Sequence, residues 1–199
     1  EFGGEAVLPS APRIQGDHEL VQTGTEPVIR TDPLSYQYPS ESMPLTFPAL
    51  ILEPGTRAVL IGPSGSGKTT LLHLLAGILE PSQSVEVDSN RLDKMGDADR
   101  RAFRIQRLGL VFQDFQLLEY LNVTDNILLP FRLAHSIGSE IRKSQKSRLE
   151  QLAEALKLTH KLKSKVTELS HGEQQRVSLC RSLITEPRVI LADEPTGSL

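Results

Sequence analysis

The chain is predicted to fold as an α/β domain with a mixed sheet core and an inserted helical lobe, and three observations predict it. Short apolar runs of strand type at residues 34–38, 58–61, 85–87, 108–112 and 189–192 alternate with helical patterns. The run 58–61 feeds a glycine-rich turn, and Leu71, Leu72, Leu74, Leu75, Ile78 and Leu79 then recur at helical spacing. Between Gln113 and Ser170 the character changes: Ile141, Leu149, Leu152, Ala153 and Leu156 form an apolar helical stripe. Arg142, Lys143, Lys146 and Arg148 lie mostly outside that stripe and are expected on a solvated face.

The glycine-rich turn carries the strongest chemistry. Gly62-Pro63-Ser64-Gly65-Ser66-Gly67-Lys68-Thr69 fits the pattern Gly-x-x-x-x-Gly-Lys-Ser/Thr, and Thr70 adds a second hydroxyl. Its place between strand and helix is the context that the motif requires. Glycines let the backbone turn tightly, so that several N–H groups converge on one anion. Lys68 is then expected to reach the β- and γ-phosphates of a nucleotide, and Thr69 to ligate Mg²⁺. The run 58–61 is expected to be a buried strand of a parallel pair, with the loop at its carboxyl end.

Three other stretches bear on the same chemistry. The run 189–192 ends in adjacent carboxylates, Asp193 and Glu194, which strand alternation sends to opposite faces. Gln113 follows the run 108–112. Leu169-Ser170-His171-Gly172-Glu173-Gln174-Gln175-Arg176 contains Ser-x-x-Glu, the spacing of a capping box, so a helix with free N–H groups at its start is expected there. Such an end favours anions. Upstream, Tyr36 and Tyr38 are candidates for stacking on a base, with Tyr36 expected to face away from Tyr38.

Composition bounds the rest. A chain of 199 residues that is 38% hydrophobic, with a net charge of −3, suits one globular domain without a bias toward nucleic acid or membrane surfaces. Its apolar stretches are far shorter than the roughly 20 residues that cross a bilayer. The lone Cys180 lies among Val177, Leu179, Leu183 and Ile184 and is expected in the core, which suits a reducing compartment. Arg100, Arg101, Arg104 and Arg107 form a basic cluster tempered by Asp93, Asp97 and Asp99. Residues 1–31 have scattered Pro, Gly, Ser and Thr without periodicity and are expected to be a flexible leader.

Taken in order, these motifs resemble the ATP-binding cassette (ABC) proteins over about residues 33–199, with residues 169–176 matching the signature motif. The resemblance implies a P-loop NTPase fold with core at about 32–113 and 170–199 and a helical lobe at about 114–169. It implies ATP and Mg²⁺ as cofactors, with Gly62, Pro63, Ser64, Gly65, Ser66, Gly67, Lys68, Thr69 and Thr70 holding phosphates and Tyr38 stacking on adenine. Thr69, Gln113 and Asp193 would support the metal, and Glu194 would polarise the attacking water with Lys68 and Gln113 assisting. Ser170, His171, Gly172 and Glu173 would serve the ATP of a second such domain in a head-to-tail dimer.

Leu71-Leu72-His73-Leu74-Leu75-Ala76-Gly77, Asn126-Ile127-Leu128-Leu129-Pro130 and the stretch from Leu191 to Leu199 look most like the lipoprotein-release and macrolide-export branch. That branch implies a peripheral ATPase on the cytoplasmic face of the inner membrane, with a permease that has a periplasmic domain and exports or extracts a lipoprotein, lipid, peptide or drug. Alternatives are a soluble mechanoenzyme acting on ribosome or DNA, or an ATP-binding module without turnover. Lys68 and Ser170 lie too close in sequence for a long coiled-coil insertion, which favours transport. The family's next aspartate and switch histidine do not follow Leu199, so a C-terminally truncated domain is expected. Two departures stand out: Gln83-Ser84 replaces a usual glycine, and His171 replaces the first glycine of Ser-Gly-Gly.

Overall fold

The computed structural model of the protein describes residues 13–16, 26–40, 43–134 and 139–194. Packing separates two units, Glu1–Met95 and Gly96–Leu199. The expected mixed α/β class is what the described residues form.

In the first unit the strands are short and mostly antiparallel. They are β1 (Arg13–Gly16), β2 (Ile29–Thr31), β3 (Leu34–Tyr36), β4 (Leu45–Phe47), β5 (Leu50–Leu52) and β6 (Ala58–Ile61), followed by α1 (Lys68–Leu75), β7 (Val85–Val87) and β8 (Asn90–Arg91). A four-stranded sheet has the order β5-β2-β7-β8, and β3-β4 and β1-β6 are separate pairs. Alternation fixes its register: Ile29 pairs with Val87 and Leu52, and Val85 and Val87 are fully buried while Glu86 between them is not. The β7–β8 connection is a two-residue turn at Asp88 and Ser89, both with positive φ, the twist that joins antiparallel strands. Buried Thr31 ties β2 to β5 through its Oγ1, which accepts from the Leu50 N–H at 3.1 Å.

Two expectations change in this unit. Strands β1 and β2 both fall within residues 1–31, read from sequence as a flexible leader. Their hydrogen bonds to β6, β5 and β7 supply the order that composition does not reveal. Strand β6 runs antiparallel to β1, with Ile14 opposite Leu60, and is not the buried parallel strand expected. Val59 and Ile61, which share a face, are 59% and 46% exposed. Backbone pairing with β1 leaves that face uncovered.

The second unit contains α2 (Asp97–Arg107), β9 (Leu108–Val111), α3 (Val123–Ile127), α4 (Leu129–Leu133), α5 (Ser139–Ala155), α6 (His171–Leu183) and β10 (Val189–Ala192). Its core joins Val123, Ile127, Phe131, Leu149, Ala153, Leu158, Val177, Cys180 and Ile184. The apolar stripe predicted on α5 is present, with Leu149 and Ala153 innermost. Cys180 is buried as expected, and burial pushes its thiol up to about 12.

Asn126 in this core is fully buried and fully paired. Its Oδ1 accepts from the Leu118 N–H at 2.8 Å, and its Nδ2 donates to the carbonyls of Leu118, Leu121 and Asn122 at 3.0–3.3 Å. One side chain thus closes the loop from 118 to 122.

The solvated face expected for Arg142 and Arg148 is corrected. Arg142 donates to the carbonyls of Phe131 and Ala134 and lies over the Phe131 ring, 5.8 Å from its centroid. Arg148 donates to the Leu183 and Ile184 carbonyls at the end of α6 and pairs with Glu186 at 2.9 Å. A helix end leaves carbonyls without partners, and a long cation on a neighbouring helix reaches them. Lys143 and Lys146 do face solvent. In the basic cluster of α2, Arg100 is buried and Arg101 pairs with Asp97 at 2.8 Å on the surface.

Candidate active site

In the first half of the chain the candidate residues form a turn between β6 and α1. Gly67 is the N-cap of α1 with φ of 90° and ψ of 14°, and Gly65 also has positive φ. A Cβ on Gly67 would meet the Phe47 ring at 3.1 Å, so both conformation and space require glycine there. Lys68 Nζ donates to the Gly62 and Pro63 carbonyls, each at 3.0 Å, which places the ammonium over the loop. Ser66 is buried and its Oγ has no hydrogen-bond partner among the described residues. Such a hydroxyl suits an anionic oxygen. Pro63, Ser64, Gly65 and Thr69 are exposed, Gly62 is half-buried, and Thr70 is buried.

Tyr38 belongs to this half. Its hydroxyl hydrogen-bonds Thr70 Oγ1 at 3.1 Å, one turn into α1. The rings of Tyr36 and Tyr38 meet edge to face with centroids 4.9 Å apart, so the two do not face apart as expected. Residues two apart on an extended chain share a face.

In the second half of the chain the candidate residues gather within the second unit. Strands β9 and β10 pair in parallel, with Ala192 opposite Val111, and the Asp193 N–H donates to the Val111 carbonyl at 2.9 Å. This register brings Gln113 and the acid pair Asp193-Glu194 to one end of one two-stranded sheet. Gln113 is exposed in the turn after β9, Asp193 is half-buried, and Glu194 is exposed with positive φ.

Helix α6 begins where the Ser-x-x-Glu spacing places it. Ser170 is the N-cap: its Oγ accepts from the Glu173 N–H at 3.3 Å, and Glu173 Oε2 accepts from the Ser170 N–H at 2.8 Å. The backbone bond from Ser170 holds the Glu173 carboxyl below its ordinary value, with Lys161 at 3.4 Å adding to it. His171 packs its ring on Phe115, with centroids 4.7 Å apart. Gly172 lies within the first turn, and Arg176 Nη1 is 3.6 Å from where its Cβ would stand.

Sequence reasoning missed the residues that hold this half together. Gly109 in β9 lets α6 approach, since a Cβ there would stand 2.6 Å from the Ser182 carbonyl oxygen. Arg181, near the end of α6, donates to the carbonyls of Phe115 and Gln116. Its place in Arg181-Ser182-Leu183 carries no pattern that sequence alone would flag. Among the described residues no cluster of three His, Cys, Asp or Glu side chains is placed to hold a metal, and no helix is long and apolar enough to cross a membrane.

The chain is similar to known proteins. The family model described as ABC transporter matches residues 47–197. The lipoprotein-releasing system ATP-binding protein LolD 1 of Rhodopirellula baltica is 42% identical over 83% of this chain and 72% of its own. LolD of Xylella fastidiosa is 39% identical over 89% of this chain and 74% of its own. Among solved structures, the dimeric ABC transporter cassette MJ0796 matches with a TM-score of 0.68 and 28% identity, covering 86% of this chain and 75% of that one. The same cassette in a post-hydrolysis state, bound to ADP and Pi, matches with a TM-score of 0.66 and 27% identity over the same shares. The chain thus belongs to the ABC transporter family, as an ATP-binding and ATP-hydrolysing subunit.

Proposed function

We propose that this subunit drives the export or extraction of a lipoprotein, lipid, peptide or drug through a separate integral membrane permease, with a lipoprotein favoured. The observation that carries this reading is the 42% identity to a lipoprotein-releasing system ATP-binding protein over 83% of the chain. The working domain is residues 32–199 together with the strand β2 that pairs into its sheet, with core at 32–113 and 170–199 and a helical lobe at 114–169. The subunit sits peripherally on the cytoplasmic face of the inner membrane and pairs head to tail with a second copy. No nucleic acid is needed.

Each residue's part follows from its chemistry. The loop amides of residues 62–67 cradle phosphate oxygens, with Ser66 Oγ as a further donor. Lys68 leaves the loop carbonyls for the more negative phosphate oxygens, and Thr70 and Tyr38 hold the loop's far side, Tyr38 against adenine. Thr69, Gln113 and Asp193 would hold Mg²⁺; hydroxyl, amide and carboxylate oxygens are the hard donors that this ion takes, alongside phosphate and water. When bound, the ion neutralises charge on the phosphate oxygens. Glu194 accepts the proton of the water that attacks the γ-phosphorus as the bond to the β-phosphate oxygen breaks, and Gln113 orients that water. The Ser170 hydroxyl and the His171 and Gly172 backbone at the start of α6 serve the ATP of the partner copy, with Glu173 as the cap that engages the Ser170 N–H. A helix start contributes about 0.3–1 kcal/mol, so loss of the γ-phosphate is enough to reopen an interface near balance.

Steady-state ATPase measured with a candidate permease, in lipid vesicles, tests the reading. Turnover that rises with the permease and with a lipoprotein supports it. Turnover indifferent to both would remove the transport assignment.

A further inference from the structure

We propose that Arg181 is a positioning residue: it locks the turn after Gln113 onto α6, so that the glutamine and the Ser170 end of that helix move as one body. The turn is an unusual one. Phe115 and Gln116 both have positive φ, at 56° and 49°, a region that side-chain-bearing residues avoid. Two such residues in succession persist only where surrounding contacts over-determine them. Arg181 supplies those contacts, with Nη1 donating to the Gln116 carbonyl at 2.7 Å and Nη2 to the Phe115 carbonyl at 2.5 Å. A planar guanidinium presents two parallel donors to adjacent acceptors, which a single ammonium does not. Burial brings Arg181 down to about 10, so it stays charged at neutral pH and both bonds are charge-assisted.

The same helix holds the chain on both sides of Gln113. Ahead of it, Gly109 allows the α6 backbone at Ser182 to close on β9. Behind it, the buried Phe115 is gripped at its carbonyl by Arg181 and at its ring by His171, the first residue of α6. The signature end of the helix and the turn are therefore mechanically joined, and a shift of either displaces the other. His171 acts in this linkage as a packing surface for Phe115.

The turnover arm of the test rests on the reading under Proposed function; the exchange arm does not. Arg181→Lys keeps the charge and removes the fork. We expect amide hydrogen exchange at residues 115 and 116 of the full chain, with nothing added, to rise about tenfold while α6 keeps its protection. With ATP, kcat should fall by roughly tenfold while KM for ATP stays within about twofold, the split expected when alignment and not binding is lost. Adding Gln116→Gly, which accepts positive φ without strain, should recover most of the turnover. Unchanged exchange and kcat in Arg181→Lys, or a loss that Gln116→Gly does not relieve, would overturn the positioning role. Should Arg181→Lys fail to fold, Gln116→Val opposes the turn from its other side; it should raise exchange and lower kcat, and wild-type behaviour in both would overturn the proposal. A wild-type chain without ATP turnover would count against the functional reading alone, since exchange still reports the clamp.

Discussion

The half of this protein that carries the glycine-rich loop and the half that carries α6 are built in opposite ways. The loop from Gly62 to Lys68 is local: two glycines with positive φ, a lysine bonded to carbonyls five and six residues away, and a helix that starts at once. The α6 half is assembled from distant parts, with Arg181 bonded to carbonyls 65 and 66 residues earlier and Arg148 to carbonyls 35 and 36 residues later. A local device survives on a poorly covered strand, as β6 shows. A distributed one depends on every clamp that holds it.

Chemistry should separate the halves most. Glu194→Gln is expected to lower ATP turnover by about 10²–10⁴-fold, the range of a lost general base, while ATP binding remains and the dimer is trapped. Lys68→Ala should do the reverse, losing ATP affinity first. Calorimetric titration with ATP beside steady-state turnover distinguishes them. Wild-type turnover in Glu194→Gln would remove it as the base, and undiminished affinity in Lys68→Ala would remove the phosphate-loop assignment.

That contrast also marks what sequence could show. The cap at Ser170, strands 58–61, 85–87 and 189–192, and the core place of Cys180 were legible because each rests on spacing within a few residues. The order of β1 and β2 was not, because short strands in a polar segment are set by partners far along the chain. Arg142 and Arg148 were illegible for a related reason. Helical periodicity separates apolar from charged positions, but a long cation at the edge of the stripe reaches buried carbonyls that periodicity does not record. The antiparallel pairing of β6 lies beyond pattern altogether, since an apolar run fits either direction.

Stability should follow the distributed half. Asn126→Leu removes four hydrogen bonds from a buried site and leaves the Leu118 amide and three carbonyls without that partner. A cost of about 3 kcal/mol or more is expected, since each stranded buried group costs about 1–3 kcal/mol before relaxation. Urea unfolding at constant m-value measures it. By contrast, Ser170→Ala removes one side of a capping box at an exposed helix start and should cost about 1 kcal/mol. If Ser170→Ala proves as costly as Asn126→Leu, the division between local and distributed support is wrong.

The smallest effect sharpens the comparison through two carboxylates. In the first unit, the Arg91 guanidinium at 2.8 Å lowers Asp93 from its ordinary 3.8 to about 2, with the Val85 N–H adding to it. In the second, Glu173 is lowered by the backbone N–H of its own cap. For both, the folded-state value lies below the unfolded one, so the stabilisation is present above the unfolded value and is lost as pH falls through the folded one. For Asp93 that window runs from about 3.8 down to about 2. Salt should tell the two apart: a guanidinium pair with a partly exposed partner weakens as ionic strength rises, whereas a bond within a helix cap is screened less. Removing Asp93 with Asp93→Asn should therefore flatten the acid limb of the unfolding midpoint at low salt and change it little in about 1 M salt. Glu173→Gln should flatten it similarly at both. Equal salt dependence for the two variants would show that the cap, too, is held by charge at a distance, through Lys161, and not by its local backbone bond.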